Sequence, residues 1–322
     1  MHTLQEPLGS LSAMLRARFA QIGPVWASDI NLHRDLVIDA YSPLLAAARE
    51  AGESFEAARD IAYGDHERQR LDVFASEATR REGDADVVLF VHGGAFLRGS
   101  KSFNGLIYDN VSRWFARQGC VALNVEYRLA PAAAYPAGAD DVAAALAWAY
   151  AHVAGFGGNP RRIFLVGHSA GGAHVASYLC DPLFAELRES AAAVAGAVLI
   201  SARLVADVLP DNPNAPGVRA YFGADESRYA ARSPFTHASH FDTPLMVVVA
   251  EYENPYLDAY GAAFFERVLL ARRRTGAARA PRAPRFMQML RHNHTSVVAH
   301  FDSGETLLGD AMLDFFGASS AM

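Results

Sequence analysis

The sequence predicts an α/β fold organised around a mostly parallel sheet, and three observations carry that prediction. Six short runs rich in Val, Ile, Leu and Phe recur along the chain, at 86–91, 120–125, 162–166, 197–200, 244–250 and 285–290. Most of them lack polar alternation, as expected of strands covered on both faces. Stretches with helical spacing lie between them, at about 106–117, 138–154, 170–180, 258–274 and 306–316. Strand alternating with helix implies right-handed crossovers and a parallel sheet flanked by helices.

The chain has 322 residues, of which 51% are apolar and 20% charged, ample for a large core. Residues 1–50 are read as a helical segment that caps the remainder, and 51–322 as one structural unit. Leu11, Met14, Leu15, Phe19 and Ile22 recur at helical spacing, and so do Leu36, Val37, Ala40, Tyr41, Leu44 and Leu45. These apolar faces have few partners of their own and need something to cover. "DIAYG" and "RLDVFAS" read as two strands of a hairpin joined by the polar "DHERQ". Residues 203–242 form a long irregular insertion of the kind that serves as a lid or binding loop.

Charge and composition exclude several classes. The net charge of −6, with no long run of either sign, disfavours nucleic acid and anionic membrane as partners. The basic stretch "ARRRTGAARAPRAPR" has no interleaved aromatics and reads as a solvated helix end. Two cysteines, Cys120 and Cys180, fit a reducing compartment, with Cys120 a core residue inside an apolar strand. No secretory signal and no bilayer-length apolar stretch is visible, so a cytoplasmic location is expected. The histidines are not spaced as a metal set, and no cofactor is expected.

The strongest chemical signal is "FLVGHSAGGAHV". Gly167-His168-Ser169-Ala170-Gly171 fits G-x-S-x-G, with an apolar strand before it and an amphipathic helix after it. That context places Ser169 on a sharp strand-to-helix turn, where small neighbours leave its Oγ clear of the sheet. The helix that follows adds a field favouring negative charge at its N-terminus. The second signal is "VHGGAF", after the 86–91 strand. The backbone N–H groups of Gly93 and Gly94, with that of Ala170, suit an oxyanion hole. A base and an acid should follow the nucleophile. "RHNHTSVVAHF" leaves the last strand and offers His292, His294 and His300, the last inside a helix. "AEYENPYLD" offers three carboxylates. Glu251 continues a strand. Asp258 sits in the first turn of a helix, with Asn254 as its expected N-cap and Pro255 as its first residue. Glu253 lies in the loop itself, where a triad acid belongs.

"HGGAF", "VEYRLAPAAAYPAGADD", "FGGNPRRIFLVGHSAGG", "AYGDHERQRLDVFAS" and the late histidine pair resemble the α/β-hydrolases of the hormone-sensitive-lipase-like carboxylesterase group, over residues 57–316. The related kynurenine formamidase branch is similar too. The resemblance implies an α/β-hydrolase fold and a cofactor-free ester or amide hydrolase using Ser169, Glu253 and His294. The second histidine of the family's G-H-N-H pattern is its base, which selects His294 over His292. Departures are Ala95 for the family's third glycine, whose N–H could replace that of Gly93 as an oxyanion donor, Arg291 for a glycine, and Ala250 and Glu253 for the Gly and Asp of G-x-x-D. A glutamate is one methylene longer, so its loop is expected to sit further from His294.

The partner expected is a small or medium ester, or an amide in the formamidase case, with a homo-oligomer left open and a non-catalytic binder a minor alternative. Phe19, Trp26, Tyr41, Tyr221 and Phe222 suggest an apolar or aromatic pocket under the cap. His168 is expected to point toward the helix, and His92 to brace the glycine loop. Asp141 is read as structural, satisfying loop N–H groups. Glu126, Tyr127 and Arg128 are read as a buried polar lock.

Overall fold

The computed structural model describes residues 7–51, 54–190, 194–274 and 283–320. Part of the basic run, 275–282, lies outside the described residues. Eight strands form one sheet: β1 (Glu56–Ala62), β2 (Arg70–Phe74), β3 (Ala85–Val91), β4 (Val121–Val125), β5 (Gly158–His168), β6 (Gly196–Ile200), β7 (Leu245–Tyr252) and β8 (Arg285–Asn293). Their order is β1-β2-β4-β3-β5-β6-β7-β8. The hairpin β1–β2 is antiparallel, β2 runs antiparallel to β4, and every other pairing is parallel.

The missing polar alternation has a direct cause. Odd and even residues of each central strand enter two different cores. Val87, Leu89 and Val91 pack with Leu146, Val175 and Phe264, from helices Ala137–His152, Ala170–Cys180 and Leu257–Arg274. Val88 and Phe90 pack on the other face with Trp114, Phe115 and Phe316, from helices Asp109–Arg117 and Leu307–Ser320. Parallel strands all deliver their C-terminal ends to one edge, where β3, β5, β7 and β8 each release a loop of the site.

The N-terminal helices, Ala13–Ile22 and Ile30–Glu50, build a third cluster around Phe19, Trp26, Val37, Tyr41 and Leu45. It closes on Ile107 and Ala299 from the main body. The second helix starts at Ile30, because Asp29 caps it by accepting the Leu32 N–H at 3.0 Å. The insertion at 203–242 is less irregular than expected. It contains the helices Ala215–Phe222 and Tyr229–Arg232. Val218, Tyr221 and Phe222 share one face of the first helix and pack with Phe96 and Ala130. Gly223, at φ 93°, ends it.

Glu305 ties the N-terminal segment to the body. Its carboxylate accepts from Leu8 N–H at 3.0 Å, Ser10 Oγ at 2.7 Å and Tyr41 Oη at 3.0 Å. His292 Nε2 stands 3.5 Å away. Burial alone would raise the Glu305 pKa, but the hydrogen bond from His292, the nearby His300 and the Ser10 hydroxyl outweigh it and hold the pKa near about 2. A carboxyl depressed in the folded state stabilises above its unfolded pKa and loses that contribution as pH falls through the folded one. The window therefore runs from pH 4.5 down to about 2, and the contribution is of order 3 kcal/mol. Urea midpoints across this window are expected to fall steeply in the wild type and less steeply in Glu305→Gln, which starts from lower stability. Equal slopes in the two proteins would contradict this role.

Candidate active site

Ser169 occupies the turn between β5 and the helix Ala170–Cys180, at φ 55° and ψ −116°. A positive φ in a residue with a Cβ costs roughly 1–3 kcal/mol, which the surrounding contacts must offset. Those contacts explain the glycines. A Cβ on Gly167 would stand 2.6 Å from the Gly171 carbonyl oxygen. One on Gly171 would overlap the carbonyls of Val91 and His92, and one on Gly172 would meet Ala202. The helix therefore lies against the ends of β3 and β5 more closely than any side chain permits. The Ser169 N–H donates to the Ile200 carbonyl at 2.9 Å, which fixes the turn to β6.

His294 and Glu253 reach Ser169 from the loops after β8 and β7. Ser169 Oγ lies 3.1 Å from His294 Nε2, and His294 Nδ1 lies 2.7 Å from Glu253 Oε2. A carboxylate can only accept, so Nδ1 carries the proton and Nε2 is free to accept from the serine. Glu253 Oε1 accepts the Ala250 N–H at 2.8 Å and the Ser201 hydroxyl. The Tyr252 carbonyl accepts the His294 N–H at 3.1 Å, so a backbone bond ties this loop to the one that carries His294.

The other carboxylates of "AEYENPYLD" take separate places. Glu251 Oε2 accepts the Arg291 N–H at 2.5 Å. Arg291 stands at φ 64°, a conformation that suits the glycine it replaces, and this bond helps to hold it. Asp258 is exposed in the first turn of helix Leu257–Arg274, at the favourable end of its dipole. Asn254 is not an N-cap. The helix begins two residues after Pro255, and Asn254 Oδ1 instead accepts the Trp26 Nε1–H at 2.9 Å, joining the N-terminal cluster to this loop.

The remaining histidines sort clearly. His292 is buried, with Nδ1 3.2 Å from Ser296 Oγ and Nε2 toward Glu305. His300 bonds the Ser296 carbonyl through Nδ1 at 3.0 Å, and burial pushes its pKa down to about 4. His92 Nδ1 donates to the Gly93 carbonyl at 2.7 Å and its ring stacks on Tyr127. His168 departs from expectation, for it lines the pocket instead of turning to the helix. Its Nε2 donates to the His294 carbonyl at 3.0 Å, and Nδ1 accepts from Tyr108 Oη at 3.2 Å. Burial first, then the neighbouring His294, depress its pKa well below the usual value. It therefore braces the His294 loop as a neutral ring. Asp141 accepts from the Arg128 N–H and from Gln69, and Glu126 accepts the Lys101 N–H, so both hold loops away from Ser169.

A cavity of about 340 Å³ opens over Ser169. Gly93, Gly94, His168, Ser169 and His294 line it, with Ile30, Ile38, Phe103, Ile107 and Val298 as its apolar wall. Gly93 abuts the serine: a Cβ there would lie 3.1 Å from Ser169 Cβ. Ala170 follows the serine as the first, buried residue of its helix. The Ile30–Glu50 helix thus covers the site, as the N-terminal apolar face demanded, while the insertion contributes Asn214. Phe19, Trp26, Tyr41, Tyr221 and Phe222 do not line it; all five are buried in the packing clusters. Cys120 and Cys180 are also buried outside it. Among the described residues, no cluster of His, Cys, Asp and Glu could hold a metal, and no helix is long and apolar enough to cross a membrane.

A family model described as alpha/beta hydrolase fold matches residues 88–275, more than half of the chain. The chain belongs to the alpha/beta hydrolase fold family. Among curated relatives, esterase LipC of Mycobacterium tuberculosis is 42% identical over 114 residues, 35% of this chain and 27% of that protein. A probable isoprenylcysteine alpha-carbonyl methylesterase of Oryza sativa subsp. japonica is 35% identical over 137 residues, 42% of this chain and 30% of that protein. The match thus spans under a third of either relative's length. The solved hyperthermophilic esterase from the archaeon Pyrobaculum calidifontis superposes with a TM-score of 0.67 over 97% of this chain and 98% of its own, at 22% identity. That likeness concerns the fold.

Tyr108, Ser201, Arg34 and Arg98 complete the surroundings of the site and carry no motif in the sequence. Tyr108 is half-buried, and loss of water around its hydroxyl pushes its pKa up to about 12. The positive φ of Ser169 yields a stability test. Ser169→Gly is expected to raise stability by about 1 kcal/mol, the strain relieved exceeding the entropy glycine adds to the unfolded chain. Gly171→Ala should lower it by more than 2 kcal/mol, through the clash with β3. Thermal melts of both variants check this, and a Ser169→Gly protein less stable than wild type would contradict the strain.

Proposed function

We propose that this chain is a carboxylic ester hydrolase working through an acyl-enzyme on Ser169. The observation that carries the reading is the unbroken chain of contacts from Ser169 Oγ to His294 Nε2 at 3.1 Å and from His294 Nδ1 to Glu253 at 2.7 Å. Esterase names among the relatives support the same activity.

Ser169 Oγ attacks the ester carbonyl while His294 Nε2 takes its proton. Glu253 keeps the ring in the Nδ1–H tautomer and stabilises the imidazolium without taking the proton itself. Backbone N–H groups of Gly93, Gly94 and Ala170 receive the oxyanion, each such donor contributing roughly 3–4 kcal/mol in the transition state. The C–O bond breaks, and the leaving alcohol takes the proton from His294. Water then attacks the acyl-enzyme with His294 again as base, releasing the acid and restoring Ser169. The apolar wall and the cavity of about 340 Å³ favour a small to medium, partly apolar substrate.

Steady-state kinetics on 4-nitrophenyl acetate and butyrate test the assignments. Ser169→Ala and His294→Ala should each lower kcat by on the order of 10⁴-fold or more. Glu253→Gln should cost on the order of 10³-fold, since a Gln can fix the wrong tautomer, and Glu251→Gln only a few-fold through the Arg291 turn. Equal losses at Glu251 and Glu253 would sink the choice of acid, and undiminished activity in Ser169→Ala would sink the mechanism.

A further inference from the structure

The pocket over Ser169 has a charge pattern that ester hydrolysis does not require. Arg34 and Arg98 both line it, and no aspartate or glutamate does among its lining residues. The chain as a whole is acidic, with 35 Asp and Glu against 29 Lys and Arg, so this local surplus runs against composition. Arg34 stands on the pocket-facing stripe Ile30, Arg34, Ile38 of the Ile30–Glu50 helix, one turn from each isoleucine. Arg98 follows the glycine loop, its N–H bonded to the Gly94 carbonyl at 3.0 Å, and is exposed at the pocket mouth.

Their pairing differs. Arg34 donates to Asp35 through Nε at 3.0 Å and Nη2 at 2.8 Å and to Asn31 Oδ1 through Nη1 at 3.1 Å, and neither Asp35 nor Asn31 lines the cavity. Among the described residues, no carboxylate pairs with the Arg98 guanidinium. Loss of water around its head first, and then the Arg34 cation, oppose its charge and lower its pKa. A guanidinium held beside a second cation, facing a substrate cavity, is a half-formed ion pair. Asp35 pairs with Arg34 and leaves Arg98 as the one lining cation without a carboxylate, a partner for a single carboxylate group.

Resting on the ester-hydrolase reading, we propose that the substrate carries a carboxylate close to its scissile ester, received by Arg98 with Arg34 behind it. The Ile30 and Ile38 wall suits the methylenes or ring between the two groups. The class is thus a half-ester of a dicarboxylic acid, or an ester of a hydroxy acid. The guanidinium forks bind and orient the substrate, while the chemistry stays with Ser169.

The experiment compares two matched pairs at pH 7.5: mono-4-nitrophenyl glutarate with 4-nitrophenyl valerate, and 4-acetoxybenzoate with phenyl acetate. The first pair places the carboxylate on the acyl side and the second on the alcohol side. The quantity read is the ratio of kcat/KM, anionic over neutral, in wild type, Arg98→Gln, Arg98→Lys and Arg34→Gln. For at least one pair the ratio should fall about tenfold in Arg98→Gln, mainly through KM, and partly recover in Arg98→Lys. In the wild type alone, raising NaCl from about 0.05 to 0.5 M should lower the same ratio at least threefold, a reading that needs no variant to fold. The proposal is overturned if both ratios change less than threefold in Arg98→Gln and Arg34→Gln, or, should those variants not fold, if salt leaves both ratios unmoved. Failure of the ester-hydrolase reading looks different: no ester of the four is cleaved, or cleavage survives Ser169→Ala.

Discussion

The site depends on how closely one helix approaches the sheet. Gly167, Gly171 and Gly172 let the start of the Ala170–Cys180 helix press against the ends of β3 and β5, at separations no Cβ tolerates. That approach forces Ser169 into its positive-φ turn and lifts Oγ above the strand ends. It also brings the glycine loop after β3 beside the serine. Widening the gap by one methyl group would move Ser169 away from both the Gly93–Gly94 loop and His294. Local strain at Ser169, about 1–3 kcal/mol, is small against the burial of a complete α/β core on either side of the sheet, and so it persists.

A second layer holds His294. His294 does not rest on Glu253 alone. Its backbone N–H bonds the Tyr252 carbonyl, its carbonyl accepts from His168, and the preceding turn at Arg291 is secured by Glu251. Behind this loop, His292 leans on Glu305, which in turn binds Leu8, Ser10 and Tyr41. A continuous polar path therefore links the N-terminal cluster to the loop of His294. The same cluster delivers Ile30, Arg34 and Ile38 to the pocket. In physical terms the N-terminal segment is part of the wall of the cavity over Ser169.

How much of this the sequence discloses follows from range of interaction. The alternation of buried strands and helices is a local pattern, and it predicts the sheet and every strand within a few residues. Ser169 with its glycines is a local motif as well. His294 and Glu253 are legible because chain order and a strand end narrow each to a few candidates, and the structure brings those two to the serine. Contacts that join distant segments are not legible. Asn254 reads as a helix cap from its neighbours, but its partner Trp26 lies 228 positions away. His168 turns into the pocket because Tyr108 and the His294 carbonyl are there to receive it. The aromatic residues of the cap read as pocket because they are large and apolar, the same property that packs them into cores. Arg34 and Arg98 look like ordinary surface charges until folding places them over one cavity.

The central claim is that acyl transfer passes through Ser169. Rapid quench of the full chain with a slowly deacylating ester, followed by peptide mapping by mass spectrometry, tests it most directly. The account predicts one acyl group per chain, formed in a burst before steady turnover and located on the peptide that contains Ser169. An acyl group found on another residue, or steady turnover with no acyl-enzyme at any quench time while the ester is in excess, would contradict it.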